Sequence, residues 1–540
     1  MSESISNERL SKRNLWGYSM GGIGRDMAYQ LVNTYLLTFI TFTKGLSNTE
    51  FAMVGVIMVI CRIFDGCNDP FMGSLIEITR TKIGKFKPWI LAGVFTNVAV
   101  IIALFCVPLR GTSYLIFFAF GYLLWGMTYT MNDISYWGML PSLTSNPGDR
   151  NNLTTLANIG AGIGAGLSVL AIPSLTQGNL AIASNASKSY AIVSIIVCIV
   201  FFVCQIMTVF VVKEKPLPKV RVDDGEKRSL KDMFKVIFKN DQLKPVMASM
   251  LIYNIGSCIT MALASYWIYY RFAYQGLLVT LFTVISGVST LVIVFFPMMC
   301  KKHSRRWISK LSMIMIIVGY LLMFVISLTT GINPDADKVG FKIGEVLIPV
   351  TFIFTGLTGT CAFFGQTLFY QVLTISVANT VEYNEYTTGM RDEGVIFACR
   401  PFTAKLGSAA VVGITTLVVL ALGLNPTNKA ISNADYEAGQ LAVQVEQLVK
   451  DETPNFDSLS KEEQTKLIEA KKKSIETENV AKIENIIHTN EDTKVAKWQY
   501  QTMFAFMTLL PLVILLGSFA IYFKTVSYTH LRAHETSQDL

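Results

Sequence analysis

Arg62, Asp65 and Asp69 lie in the stretch CRIFDGCNDP, residues 61–70, whose flanks are apolar. At about 100° per residue a helix places the three side chains within about 60° of one another, and Asn68 widens the same wedge. A charged group at a bilayer centre costs on the order of 2.5–3.5 kcal/mol, so such a set belongs on a face turned away from lipid. Two carboxylates one helical turn apart offer hard oxygen ligands to a cation, or share a proton, because neighbouring like charges cannot both ionise cheaply. The bland alternative is an Arg–Asp brace between helices. A brace uses one carboxylate and leaves the other unexplained, so a cation site on Asp65 and Asp69 is the expectation.

Few other charges fall inside apolar runs. Arg25 and Asp26 stand in GGIGRDMAYQ, Asp133 in TYTMNDISYW, and Arg400 and Lys405 in FACRPFTAKLGS. Asp133 and Trp137 are four apart and share a helix face, with Thr130 one turn before. An aspartate that accepts hydroxyl hydrogen bonds beside an aromatic plate suits a sugar, whose C–H face packs on the indole. A lone tryptophan would more often be an interfacial anchor; Asp133 one turn away favours the sugar. Lys405 lies about ten residues into its helix, too deep to snorkel. It is a candidate to answer the negative charge of the second span from the opposite half, and so to couple the halves, with Arg62 as the second coupling candidate.

The elements that carry these groups follow from hydropathy. The chain has 540 residues, is 51% hydrophobic and 16% charged, and has a mean hydropathy of +0.44. Those values indicate a polytopic membrane protein rather than a soluble domain. About twelve apolar spans are expected, centred near residues 30, 60, 98, 124, 163, 200, 257, 287, 317, 358, 410 and 511. The hydrophilic stretch 213–244 divides them six and six, as in many secondary transporters. The predicted organisation is a tail over 1–15, a first six-helix half over 16–212, a central loop over 213–244 and a second half over 245–524. A Lys- and Glu-rich insertion over 425–497 interrupts the second half, and within it Ser460 and Glu463 have capping-box spacing for a solvated helix. Residues 525–540 end in SYTHLRAHETSQDL, which departs from the composition of the chain and reads as non-native.

The net charge of +8 is concentrated in alternate loops. Arg80, Lys82, Lys85 and Lys87 fill one, ten basic residues lie within 213–244, and Lys301, Lys302, Arg305 and Arg306 fill another. The surplus therefore marks topology rather than a nucleic-acid partner: basic loops and both termini face the cytoplasm, and the insertion lies outside. All nine cysteines fall in or beside apolar spans, and the four histidines, His303, His488, His530 and His534, lie outside them. Neither a disulfide framework nor a histidine-based metal site is expected. A membrane-embedded enzyme would need a nucleophile, base or metal set that these residues do not supply.

Six spaced blocks, GGIGRDMAYQ, RIFDGCNDPFMG, TRTKIGKFKPWIL, LWGMTYTMNDISYW, VEYNEYTTGMRDEG and KLGSA, resemble the glycoside-pentoside-hexuronide:cation symporter family, and closely its melibiose permease branch. The resemblance covers about residues 15–420 in order. It implies an all-α major facilitator fold, twelve transmembrane helices in two six-helix halves, in a bacterial-type inner membrane. It implies symport of a sugar or glycoside with Na+, Li+ or H+, no other cofactor, and a functional monomer. Asp65 and Asp69 then correspond to the carboxylates for the monovalent cation, Thr130 to a nearby oxygen ligand and Asn68 to a neighbour of that site. Asp26 and Asp133 correspond to acceptors of sugar hydroxyls, Trp137 to the aromatic beside the sugar, and Arg25 to the basic partner in that motif. Lys405 matches a lysine between the two sites, while Glu382, Glu385 and Arg391 match a cytoplasmic gate latch.

Two departures concern the sugar. Asn158 stands where the melibiose branch has a sugar-contacting arginine, and Arg400 and Pro401 stand where it has glutamine and threonine. The cation site thus reads as intact and the sugar site as altered; Arg400 would favour an anionic sugar such as a hexuronide. The expected function is cation-coupled sugar symport by alternating access. The alternative is an uncoupled facilitator, or a carrier of another solute, in which the charges, Arg62 included, are braces.

Overall fold

Long apolar runs separated by short polar turns fold as helices that satisfy their own backbone, the only open-ended solution available in lipid. Among the residues described by the computed structural model (10–144, 146–213, 240–272, 274–330, 337, 339–343, 346–388 and 393–525), the first six are α1 (Lys12–Thr43), α2 (Asn48–Ile78), α3 (Lys87–Cys106), α4 (Gly111–Leu143), α5 (Pro147–Thr176) and α6 (Ala186–Val211). Then come α7 (Leu243–Arg271) and α8 (Gly276–Val288), which tightens into a 3₁₀ turn over Ser289–Phe295 and resumes as α9 (Phe296–Lys302). Pro297, which has no N–H to donate, stands at the start of α9. The chain continues with α10 (Arg305–Thr330), a hairpin of β1 (Gly340–Ile343) and β2 (Val346–Pro349), α11 (Val350–Thr388) and α12 (Glu393–Ala421). It ends with α13 (Asn425–Val443), α14 (Val445–Glu452), α15 (Lys461–His488) and α16 (Lys497–Thr525). Arg391, most of the basic stretch 213–244 and residues 526–540 lie outside the described residues.

Among the described residues, ten segments are long and apolar enough to cross a membrane: α3 to α7, the α8–α9 rod, α10 to α12 and α16. Helices α1 and α2 are as long, at 32 and 31 residues, and carry Arg25, Asp26, Arg62, Asp65 and Asp69. Together these twelve rods fall where hydropathy puts the twelve spans. The Ser460–Glu463 capping box expected from the sequence opens α15, and a second one, Ser47 with Glu50, opens α2.

The chain divides into two compact units. Unit 1 holds the described residues of Met1–Asp223, Ile268–Thr280 and Gly423–Val495, and unit 2 those of Asp224–Trp267, Leu281–Leu422 and Ala496–Leu540. The sequence reading groups 425–497 with the second half because it follows α12. In the fold that segment belongs to unit 1, because its polar side chains bond to the turns of that unit. Nor is α15 wholly solvated: Ile475, Ile483, Ile486 and Ile487 are buried along one side.

Within unit 1, α1 packs against α5 and α6, α3 against α4 and α6, and α2 against α4. Small residues allow the closest approach, as expected where apolar surface alone cannot hold helices together. A Cβ at Gly160 would stand 2.3 Å from Ser19 O, and one at Gly164 2.0 Å from Ile23 O, so α5 lies directly on the backbone of α1. Buried amides add polar links: Asn132 Nδ2 donates to Ile90 O and Gln205 Oε1, both at 3.2 Å, and Gln205 Nε2 donates to Gly21 O at 2.8 Å. In unit 2, Ser249 and Ser518 each donate to the other's carbonyl, at 3.0 and 2.7 Å, which joins α7 to α16.

The α1–α5 contact tolerates no side chain on α5 at this point. Gly164→Val must separate the two helices, and overpacking of this kind costs about 1–3 kcal/mol or more. A lower midpoint of thermal unfolding in detergent is the expected outcome; an unchanged midpoint would show that the helices can part freely.

Candidate functional site

The polar groups singled out on α1, α2 and α4 meet in unit 1 as two clusters one helical turn apart on α4. The first is centred on Arg25. Its Nε donates to Asp26 Oδ2 at 3.0 Å, and its Nη1 lies 3.0 Å from Asp133 Oδ1. The guanidinium sits 4.7 Å from the ring centroid of Tyr136 and 4.8 Å from that of Trp137. The arginine is only 3% exposed, whereas Asp26 and Asp133 are 21% and 35% exposed. One buried cation therefore holds two partly open carboxylates beside the Trp137 ring, an arrangement able to accept hydroxyl hydrogen bonds without isolating negative charge.

Two tyrosines fix this cluster. Tyr18 Oη donates to Tyr136 O at 2.8 Å, and Tyr136 Oη donates back to Tyr18 O at 2.7 Å, with the rings stacked at 4.4 Å. The pair locks α1 to α4 beneath Arg25. Neither residue was a sequence candidate. The available signal is that a tyrosine inside a membrane span must find a partner for its hydroxyl.

The second cluster belongs to α2. Thr130 Oγ1 lies 2.7 Å from Asp65 Oδ1 and 3.4 Å from Asp69 Oδ1, so its hydroxyl can donate to either carboxylate. Arg62 shares their helix face but turns elsewhere: its Nε donates to Tyr122 Oη at 2.8 Å, its Nη2 donates to Asn33 Oδ1, and it lies 5.6 Å over the Trp125 ring. Among the described residues Arg62 forms no ion pair, so it does not brace the two aspartates. Asn68 is buried with its Nδ2 lacking a hydrogen-bond partner among the described residues. No side chain separates α4 from Asp65 at Gly126, where a Cβ would lie 3.8 Å from Asp65 Oδ1.

An aromatic ladder on α4, also unforeseen, runs past both clusters. Tyr114, Phe118, Tyr122, Trp125 and Tyr129 stack in succession, with centroid distances of 6.1, 5.3, 5.4 and 5.9 Å. Tyr29 of α1 leans on its end, 5.0 Å from Tyr129. Spacings of three and four residues put these rings on one face, a pattern readable in the sequence once α4 is taken as a single helix.

The remaining candidates are placed apart. Asn158 is exposed on α5 and donates to Thr154 O at 2.9 Å, one turn back on its own helix. It has no hydrogen bond to Asp26 or Asp133. Lys405 is half-buried on α12 in unit 2. Arg400 is exposed on the same helix; its Nε donates to Tyr370 Oη at 3.1 Å and its guanidinium lies 5.5 Å from that ring. Glu382 and Glu385 are exposed near the end of α11. Arg391 lies outside the described residues.

Arg25→Gln removes the one buried cation that Asp26 and Asp133 share. Breaking a buried pair typically costs about 3–5 kcal/mol. The variant should unfold at a markedly lower temperature, with Arg25→Lys intermediate because an ammonium cannot fork to both carboxylates. Equal stability of all three proteins in thermal denaturation would show that the carboxylates are neutralised by another group.

The family profile described as MFS/sugar transport protein matches residues 17–442. A raffinose carrier protein from Pediococcus pentosaceus is 26% identical over 437 residues, which is 78% of this chain and 64% of that protein. A lactose permease from Lactobacillus delbrueckii subsp. bulgaricus is 28% identical over 418 residues, 75% of this chain and 63% of that protein. The chain thus spans slightly less than two thirds of the length of these relatives. Among solved structures, the nucleoside transporter NupG shares the fold, with a TM-score of 0.52 at 12% identity over 94% of this chain and 99% of that one.

Proposed function

Since the chain belongs to the MFS/sugar transport protein family, a multi-pass membrane family, we propose that it is a symporter that carries a sugar or glycoside with a monovalent cation, Na+, Li+ or H+, by alternating access. Asp65 and Asp69, with Thr130 and Asn68 beside them, receive the cation. Asp26, Asp133 and Trp137, organised by Arg25, receive the sugar. The relatives named for raffinose and lactose support a sugar as the cargo. The alternation of basic and non-basic loops supports a cell-membrane orientation with the basic loops and both termini in the cytoplasm.

One observation carries the coupling: the Thr130 hydroxyl serves both carboxylates of α2 while Arg62, on the same face, is engaged by Tyr122 and Asn33. A brace would spend the arginine on the aspartates. Two carboxylates and a hydroxyl are hard oxygen donors of the kind that suits a small monovalent cation. With Thr130 three residues before Asp133, the cation and sugar clusters lie on consecutive turns of α4, so an ion that draws Asp65, Asp69 and Thr130 together also sets the position of Asp133. Lys405 is the proposed coupling residue. Glu382, Glu385 and Arg391 are the proposed latch at the cytoplasmic end.

Coupling must be reciprocal, so the cation tightens sugar by the factor that sugar tightens the cation. Isothermal titration with sodium, lithium and pH varied in turn should show that factor. A sugar affinity independent of all three removes the coupling and leaves the facilitator. In vesicles, Asp69→Cys should lower gradient-driven uptake by tenfold or more while sparing sugar exchange; retention of full driven uptake moves the cation site away from α2.

A further inference from the structure

The insertion between α12 and α16 is built as a separable body with a polar docking face. Ala438, Val445, Val449, Phe456 and Ile475 form its own apolar core. Its helix α13 packs on α1 and α6 with Ile431 and Ala434 buried, and its hydrogen bonds to the rest of unit 1 are made by polar groups. Asp435 is buried at the N-terminus of α6, where its Oδ1 accepts from Ala186 N at 2.5 Å and its Oδ2 from Ser187 N at 3.1 Å. Its backbone carbonyl accepts from Asn185 Nδ2 at 3.0 Å. Arg110, in the α3–α4 turn, donates from Nη2 to Ser432 O at 3.0 Å, Ser432 Oγ at 2.8 Å and Asn433 Oδ1 at 3.0 Å, and lies 4.5 Å from the Tyr436 ring. Asn425 Nδ2 donates to Leu46 O in the α1–α2 turn at 3.0 Å. Tyr270, in the 268–280 segment of unit 1, donates from Oη to Asn428 Oδ1 at 2.5 Å.

Permanent interfaces resemble a core cut in half, whereas hydrogen bonds of this kind are replaced by water at little net cost when they part. The hairpin keeps its own core either way. Both of its ends run without a linker into helices of unit 2: Asn425 is four residues beyond the end of α12, and Val495 is two residues before α16. Gly423, at the first of these junctions, has a φ of +65°, a left-handed conformation that suits a pivot.

We propose that the Gly423–Val495 insertion is a latch that docks on the α1–α2, α3–α4 and α5–α6 turns of unit 1 through Asp435 and Arg110, and that it must undock for transport to proceed. The inference rests on the transport reading given above only for its second half. On the proposed orientation the latch lies on the outer face. It differs from the basic-end latch of Glu382, Glu385 and Arg391 in residues, in end of the molecule and in kind.

Acidity adds a control. Burial outweighs the help of the Ala186 and Ser187 amides and of Arg110 and Lys44, and pushes the Asp435 carboxyl up to about 6. Tyr274, from the 268–280 segment, and Tyr436, on α13 itself, are the other titratable groups that face this carboxyl or its arginine partner. Lys44, lowered by burial to about 8, stays charged across the acid range. A carboxyl whose docked value is raised binds its proton more tightly docked than free. Docking is therefore firmest in acid and weakens as pH rises through about 6.

The test is a reversible lock. A Cβ at Gly439 would lie 3.2 Å from Asn185 Cγ, the place a sulfur would take, so Asn185→Cys with Gly439→Cys can form a disulfide in a chain whose nine free cysteines are replaced by serine. Oxidation should cut sugar uptake into vesicles at least tenfold and reduction should restore it; equal uptake in both states overturns the latch. A reduced protein that moves no sugar counts against the transport reading, and hydrogen exchange of the full chain then decides docking. Asp435→Ala should exchange the α13 amides at least tenfold faster than wild type with α2 and α4 unchanged. After correction for intrinsic rates, wild-type α13 should be better protected at about pH 5 than at pH 7.5, and Asp435→Asn should abolish that difference. Protection of α13 that neither substitution nor pH alters overturns the proposal.

Discussion

The guanidinium of Arg25 is the constraint on which unit 1 depends. A cation buried in an apolar bundle is tolerable only if its partners are close and its donors are used. Asp26 comes from its own helix and Asp133 from α4, so satisfying the charge requires α1 and α4 to lie together in one register. The reciprocal hydroxyls of Tyr18 and Tyr136 hold that register with two more bonds, and Gly160 and Gly164 let α5 close behind α1. Once α4 is fixed, the position of Thr130 is fixed too, and with it the place where α2 must bring Asp65 and Asp69. The two clusters are therefore not independent sites grafted on separate helices. They are consecutive turns of one rod.

Arg62 shows why proximity on a helix face does not amount to pairing. Its shared face with Asp65 follows from helical geometry, yet Tyr122 and Asn33 from two other helices take its donors, and the Trp125 ring lies beneath its plane. An arginine can be satisfied by neutral acceptors and an aromatic surface because its charge is delocalised and weakly hydrated. That leaves a positive field near the carboxylates without capping their oxygens. Such a field lowers the cost of keeping two acids in the membrane beside the Thr130 hydroxyl.

The amphipathic logic of the fold was legible in the sequence: where the rods run, which charges share a face on α2, and that Asp133 stands one turn from Trp137. Those features depend on helical periodicity alone. What periodicity cannot convey is which neighbouring helix supplies a partner. Arg25 could be read as a buried charge, but its division between Asp26 and Asp133 is a product of packing. Asn158, which stands where the melibiose branch has an arginine, has an amide that bonds to Thr154 on its own helix, a local partner that periodicity does not single out. The aromatic ladder follows plain helical spacing, but each ring alone is ordinary in an apolar span and gives no signal of its neighbours. The composition of 425–497, Lys and Glu at high density, reports its solvated surface. The residues that dock it are Asn425, Asn428, Ser432 and Asp435, polar but mostly uncharged side chains whose burial no composition announces.

Burying those side chains has a mechanical consequence. A carrier must break and remake contacts at each end of its path in every cycle, and the energies of those contacts set which state predominates. Apolar surface uncovered at such a place would have to be wetted, whereas amides, hydroxyls and one carboxylate exchange protein partners for water with little net change. The membrane core of unit 1 offers no such exchange, and there Arg25, Asn132 and Gln205 find their partners within the unit. Other polar bonds tie the turns of unit 1 to an insertion with an apolar cluster of its own, formed by Ala438, Val445, Val449, Phe456 and Ile475.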